Sequence, residues 1–197
     1  MKLARSILFA LLLAAPAAPV AAETSLTAYD AARQALLAIW TELPLTARNV
    51  TLIDGTPESY GNYTAHQGNS YRPGEPIHIY VELLGYGFKD NGDGTFSKQF
   101  DADLSLIDAS GTTVAAQEKF FTSDIRSREK LLETYFTFDA TLTSFAPGAY
   151  KLHYVLHDRA SGKQATFEVP ITLMAADASA PSGPAGGPSE PSSSAAQ

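Results

Sequence analysis

Ile77-His78-Ile79-Tyr80-Val81-Glu82-Leu83 sets the reading of the chain. Apolar residues take every second position and polar or amphipathic ones fill the gaps, which is the period of a strand with one buried face. The same period recurs on either side. Val50 and Leu52 precede it, and Phe96, Phe100, Ala102, Leu104 and Leu106 share a face after it. Val114, Ala116 and Phe120 follow, then Leu132, Thr134, Phe136, Phe138 and Ala140. Tyr150, Leu152, Tyr154 and Leu156, and finally Ala165, Phe167, Val169 and Ile171, complete the series. Short strands punctuated by Gly, Pro, Asn and Asp, with no helical period between them, predict a mainly β antiparallel sandwich of about seven strands over residues 47–174. Asp90-Asn91-Gly92-Asp93-Gly94, Ser110-Gly111 and Ser161-Gly162 supply the turn residues that hairpins need. The stretch 54–75 is long for a structureless loop, and Asn62 to His66 is expected to add a short edge strand.

Upstream the period changes. Leu26, Tyr29, Ala32, Leu36, Trp40 and Leu43 recur at steps of three and four, which predicts one N-terminal α-helix within 23–46. Thr24 or Ser25 caps its start, and Pro44 ends it by excluding the helical conformation at Leu43. Its apolar stripe is expected to pack on an edge or end of the sandwich. Before it, Lys2 and Arg5, the apolar run Ile7 to Ala15 and Val20-Ala21-Ala22 read as a signal peptide over 1–22. The predicted location is therefore the periplasm or the extracellular medium. At the other end, 175–197 is Ala, Pro, Ser and Gly with almost no large apolar residue, a composition expected to be disordered.

The formal net charge is −7, and −9 without the two basic residues of the leader. That balance argues against nucleic acid and anionic lipid as partners. There are 0 cysteines, so no disulfide, thiolate nucleophile or thiolate-bound zinc is available, and no lipid-bearing cysteine follows the leader. No membrane anchor is expected once the leader is cleaved.

Phe145-Ala146-Pro147-Gly148-Ala149-Tyr150-Lys151-Leu152 resembles the entry to strand F of immunoglobulin-like domains, where a tyrosine after a tight turn bonds back to nearby backbone. Tyr71-Arg72-Pro73-Gly74-Glu75 resembles the turn before strand B of exported bacterial modules of that type. Together with Tyr60-Gly61-Asn62-Tyr63 and Tyr80-Val81-Glu82, these stretches resemble an uncharacterised exported bacterial protein family with an immunoglobulin-like or fibronectin-III-like sandwich, over roughly residues 48–173. The resemblance implies a fold and no activity.

Two constellations carry candidate chemistry. Tyr60, Tyr63, Tyr71 and Tyr86, with Phe88 beside the acidic hairpin, form a candidate partner- or ligand-binding set, since aromatic faces with polar tips suit protein contacts and sugar stacking. His153 and His157 share one strand face, and pairing of that strand with the third would add Asp101 and Asp103, a set able to hold a divalent metal. Cross-strand ion pairs are the plainer expectation for that face. Asp90 to Gly94 misses the EF-hand spacing and reads as a turn, with at most weak divalent affinity through Asp90 and Asp93. Arg126, Arg128 and Lys130 mark a charged crossover between sheets. No nucleophile elbow, zinc-protease or phosphate-loop motif occurs, and no cofactor is expected. The expectation is a non-catalytic binding module for an envelope or extracellular protein. A glycan-binding module is the alternative, and a metal-dependent hydrolase built on the His/Asp set is a more remote one.

Overall fold

The computed structural model describes residues 25–176. The expected signal peptide and nearly all of the expected disordered tail lie outside the described residues. The described residues are mainly β with one helix. The chain divides into two units, one running to Leu37 and the other from Ala38 onward. The first contributes the beginning of α1 (Leu26–Glu42), capped as expected by Ser25, whose Oγ accepts the Ala28 N–H at 3.1 Å. No described helix is long and apolar enough to cross a membrane.

The second unit holds nine strands among the described residues: β1 (Thr46–Ile53), β2 (Ser70–Tyr71), β3 (Pro76–Leu84), β4 (Lys89–Asp90), β5 (Phe96–Asp108), β6 (Thr113–Ser127), β7 (Tyr135–Thr141), β8 (Gly148–Asp158) and β9 (Gln164–Leu173). They form a small sheet, β1-β3-β7, and a larger one, β2-β9-β8-β5, with β4 and β6 both on β5. All seven expected strands are present. The two extra ones are two-residue pieces, too short to show a period. One of them, β2, runs parallel to β9, so the larger sheet is mixed rather than purely antiparallel. The edge strand expected at Asn62–His66 does not form. That segment makes only isolated bridges, Ile53 to Ala65 and Ser59 to Asn62.

Burial follows the alternation. Ile77, Ile79, Val81 and Leu83 are fully buried on β3, as are Leu152, Tyr154 and Leu156 on β8. Rings close the gap between layers: Phe100 of β5 meets Phe136 of β7 at 5.1 Å, and Tyr154 of β8 stacks on Phe138 at 5.1 Å. The Tyr150 hydroxyl donates to the Ala146 carbonyl at 2.8 Å, the back-bond expected from the turn before it. Trp40, in the last helical turn, is buried against Tyr86 at 5.0 Å, and its Nε1 donates to the Tyr86 carbonyl at 2.9 Å. The connection after the helix passes so close to Gly85 (φ +74°) that a side chain there would meet the Pro44 carbonyl oxygen at 2.3 Å. Lys163 fastens this corner, donating to the carbonyls of Thr41 (2.8 Å), Leu43 (2.6 Å) and Gly85 (2.9 Å).

Candidate functional site

The outer face of the small sheet is where chemistry gathers. On β3 the residues turned away from the core are His78, Tyr80 and Glu82, yet Tyr80 and Glu82 are only 0% and 3% exposed. The connection between β1 and β2 covers them. Tyr63 packs on the Tyr80 ring at 4.3 Å, Tyr135 of β7 stacks on its other side at 5.2 Å, and Tyr60 meets Tyr135 edge-on at 6.4 Å.

Glu82 organises the polar part. Its Oε2 accepts hydrogen bonds from Arg48 Nε (3.1 Å), Asn49 Nδ2 (2.8 Å) and the Tyr60 hydroxyl (3.0 Å), and its Oε1 from the Tyr80 hydroxyl (3.1 Å). Tyr80 in turn accepts the Gly61 N–H at 2.8 Å, which ties the covering segment to the sheet. Asn49 reaches the carboxylate because β1 is irregular between Arg48 and Thr51, where Asn49 takes φ +50°. Burial alone would raise the Glu82 pKa, but the hydrogen bonds from Tyr60, Asn49, Tyr80 and Arg48 together hold it below the usual range. Burial pushes Tyr80 up to about 12, so it stays a neutral donor. Tyr60, Tyr63 and Tyr135 remain partly exposed, and the Arg48 side chain is 46% exposed.

Of the expected aromatic set, only Tyr60 and Tyr63 lie on this face. Tyr71 is buried, with its ring stacked on His66 at 5.0 Å. Tyr86 is buried too, its hydroxyl donating to the Leu131 carbonyl, with Phe88 packed half-buried beside it at 5.4 Å. A single surface built from all five is therefore corrected: Tyr71 and Tyr86 are core residues. Beside Tyr86 the structure buries Lys98, whose ammonium bonds Thr134 Oγ1 and whose pKa burial lowers. Lys98 stands two residues before the buried Phe100 on β5, so it shares that ring's face of the strand.

The expected metal set is only half assembled. β8 does pair with β5, with His157 opposite Asp101, and His157 Nε2 lies 2.8 Å from Asp103 Oδ2. The other Asp103 oxygen accepts the Lys119 N–H at 2.7 Å, while Asp101 is held by Arg159 (3.3 Å) and Thr122 (3.0 Å). His153 turns instead to Glu168 of β9 at 3.4 Å. With each carboxylate engaged by protein, no group of three or more metal-ligating side chains forms among the described residues. The hairpin is likewise closed on itself, because Asp90 accepts the Gly92 N–H while Asp93 binds Thr95 and Arg126. The expected charged crossover is met only in part: Arg126 lies within β6, paired with Ser97, and residues 128–134, with Arg128 and Lys130, carry the chain from β6 in the larger sheet to β7 in the small one.

Sequence reasoning missed Glu82, Arg48, Asn49 and Tyr135. The available signal was an asparagine inside a strand and a glutamate flanked by Val81 and Leu83.

No protein-family model and no curated protein matches the chain. Among solved structures, it is similar to the alkylpurine DNA glycosylase AlkC of Pseudomonas fluorescens bound to abasic-site DNA, at 11% identity and TM-score 0.39, covering 75% of this chain and 38% of that one. It is also similar to Spo0M, a sporulation control protein of Bacillus subtilis (14%, TM-score 0.39, 68% and 51%), and to a family 123 glycoside hydrolase of Clostridium perfringens (10%, TM-score 0.36, 67% and 27%). The chain thus spans about half or less of each of these proteins. Likenesses this weak identify neither a fold family nor an activity.

Proposed function

We propose that the protein is an exported, non-catalytic binding module that contacts another envelope or extracellular protein through the outer face of its small sheet. One observation carries this reading: Tyr60, Tyr63 and Arg48 reach the surface from positions already fixed by ring packing and by the Glu82 network. Tyrosine and arginine dominate the binding energy of protein interfaces. Side chains held before contact lose little conformational freedom on binding. The leader-like residues 1–22 support export.

The test is site-specific photocrosslinking in the native envelope, with the probe at residue 63 or, as a control, at Thr166 on the larger sheet. A discrete partner is expected from 63 alone, and Arg48→Ala should reduce its recovery while the protein stays folded. Equal crosslinking from both positions would sink the reading. A rise in melting temperature with cell-wall sugars that Tyr63→Ala abolishes would replace it with a glycan-binding one.

A further inference from the structure

Rings fill most of the space between the sheets and leave one part of it empty. At one end Phe120 packs on Phe138 at 5.4 Å and on Tyr154 at 5.7 Å. At the other, Phe145 meets Tyr150 edge-on at 6.3 Å, and the Tyr150 hydroxyl is anchored on the Ala146 carbonyl. Leu152 lies between Tyr150 and Tyr154 on β8, so these two groups of rings prop the layers apart on either side of it. There the side chains on the edge strands are small, Ala115 of β6 and Ala140 of β7, and a cavity of about 280 Å³ remains. Leu104, Leu106 and Leu152 form its floor, with Leu142 beside Ala140. Leu106, Leu142 and Leu152 are buried whereas Ala115 is exposed, so an apolar interior opens to solvent along the edge strands.

We propose that this cavity binds the linear alkyl chain of an uncharged amphiphile, with the chain among the leucines and the polar end left at the mouth. The lining selects hydrocarbon. Its polar residues, Gln117, Asp139 and Thr141, are all exposed. Asp139 stands between the inward Phe138 and Ala140, so its carboxylate turns to the outer face, where His78 lies 2.7 Å away. No charged group is therefore aimed inward to pair with an ion. None of the buried side-chain atoms left without a hydrogen-bond partner among the described residues belongs to the lining. A buried water needs about two to four polar partners, and an apolar cavity without them stays dry and takes up hydrocarbon. Size favours a chain, because an engineered apolar cavity of about 150 Å³ already holds benzene, and this one is larger and open at one side. A peptide strand fits less well. The pairing of β6 with β5 slips at Val114 and again over 118–120, which leaves only 115–117 regular beside the mouth.

The experiment uses the intact protein and n-octyl glucoside below its critical micelle concentration, followed by calorimetry and by the NMR shifts of leucine methyl groups. Binding is expected, with shifts at Leu106, Leu142 and Leu152. Glucose alone should not bind, and affinity should rise about three- to fourfold for each methylene added from hexyl to octyl glucoside. Ala115→Phe at the exposed wall and Ala140→Leu at the buried one, each checked for an unchanged circular dichroism spectrum, should weaken binding by about tenfold or more by filling the space. The proposal is overturned if no alkyl glucoside binds, if glucose binds as well as the glycoside, or if affinity ignores chain length. It is also overturned if a folded variant binds like the parent or if the shifts appear only elsewhere. Shifts of the same methyls with protein concentration alone would overturn it too, since a second copy would then fill the space.

Discussion

The outer faces of the two sheets begin from the same strand alternation and end differently. On β3 the outward residues Tyr80 and Glu82 are buried beneath the segment that follows β1, and a single carboxylate collects four donors. On β8 the outward residues His153 and His157 stay near solvent, each facing one carboxylate, Glu168 and Asp103. What separates them is the neighbouring chain. The turns joining β5, β6, β8 and β9 are short, whereas 16 residues run between Ile53 and Ser70 and have the reach to fold back over the sheet. A polar strand face is thus solvated by default and becomes interior only where a long connection carries groups that satisfy it.

The largest test of this contrast is Tyr80→Ala. Removing a fully buried ring that lies between Tyr63 and Tyr135 should cost about 3–5 kcal/mol in urea unfolding. A loss below about 1 kcal/mol would mean that the covering segment is not packed in solution. Glu82→Gln comes next, with an expected loss of about 1–3 kcal/mol, because charge-assisted bonds become neutral ones and one donor is left opposed by another. The pH dependence has a definite sign. The folded pKa of Glu82 is lowered, so its contribution is complete above the unfolded value near 4 and disappears as pH falls through the folded one. Stability of the native chain should fall on acidification through that window, and Glu82→Gln should flatten the acid limb. Asp103 has a lowered pKa as well, through the Lys119 N–H first and His157 second, as do Asp93, Asp108 and Glu168, so a residual slope remains. The smallest effect belongs to the open face. His157→Ala should change stability by no more than about 1 kcal/mol, and 0.5 M salt should erase most of that. A loss equal to that of Tyr80→Ala would end the distinction between the two faces.

Much of the architecture was legible because burial and period coincide. The alternation in Ile77 to Leu83 and in Tyr150 to Leu156 marked which side chains turn inward, and the turn before Tyr150 foretold its back-bond. The helix, its cap at Ser25 and its end before Pro44 followed from spacing and proline geometry. The site was less legible. Tyr60 and Tyr63 were found, but Tyr71 and Tyr86 carry the same side chain and are buried, since a tyrosine suits core and surface alike. Glu82 was hidden because a glutamate on the polar face of a strand looks solvated, and only the fold brings Arg48, Asn49 and Tyr60 onto it. The His/Asp set failed for a different reason. Strand pairing was anticipated, but Lys119, Thr122 and Arg159 reach the carboxylates from elsewhere in the fold.

The ammonium of Lys163 has a consequence for how the chain is made. It secures the carbonyl of Thr41, a residue synthesised 122 positions earlier. On the ribosome, therefore, the turn around Trp40 emerges long before the group that fastens it exists. A chain cut short before Lys163 lacks the ammonium that holds the carbonyls of Thr41, Leu43 and Gly85 together.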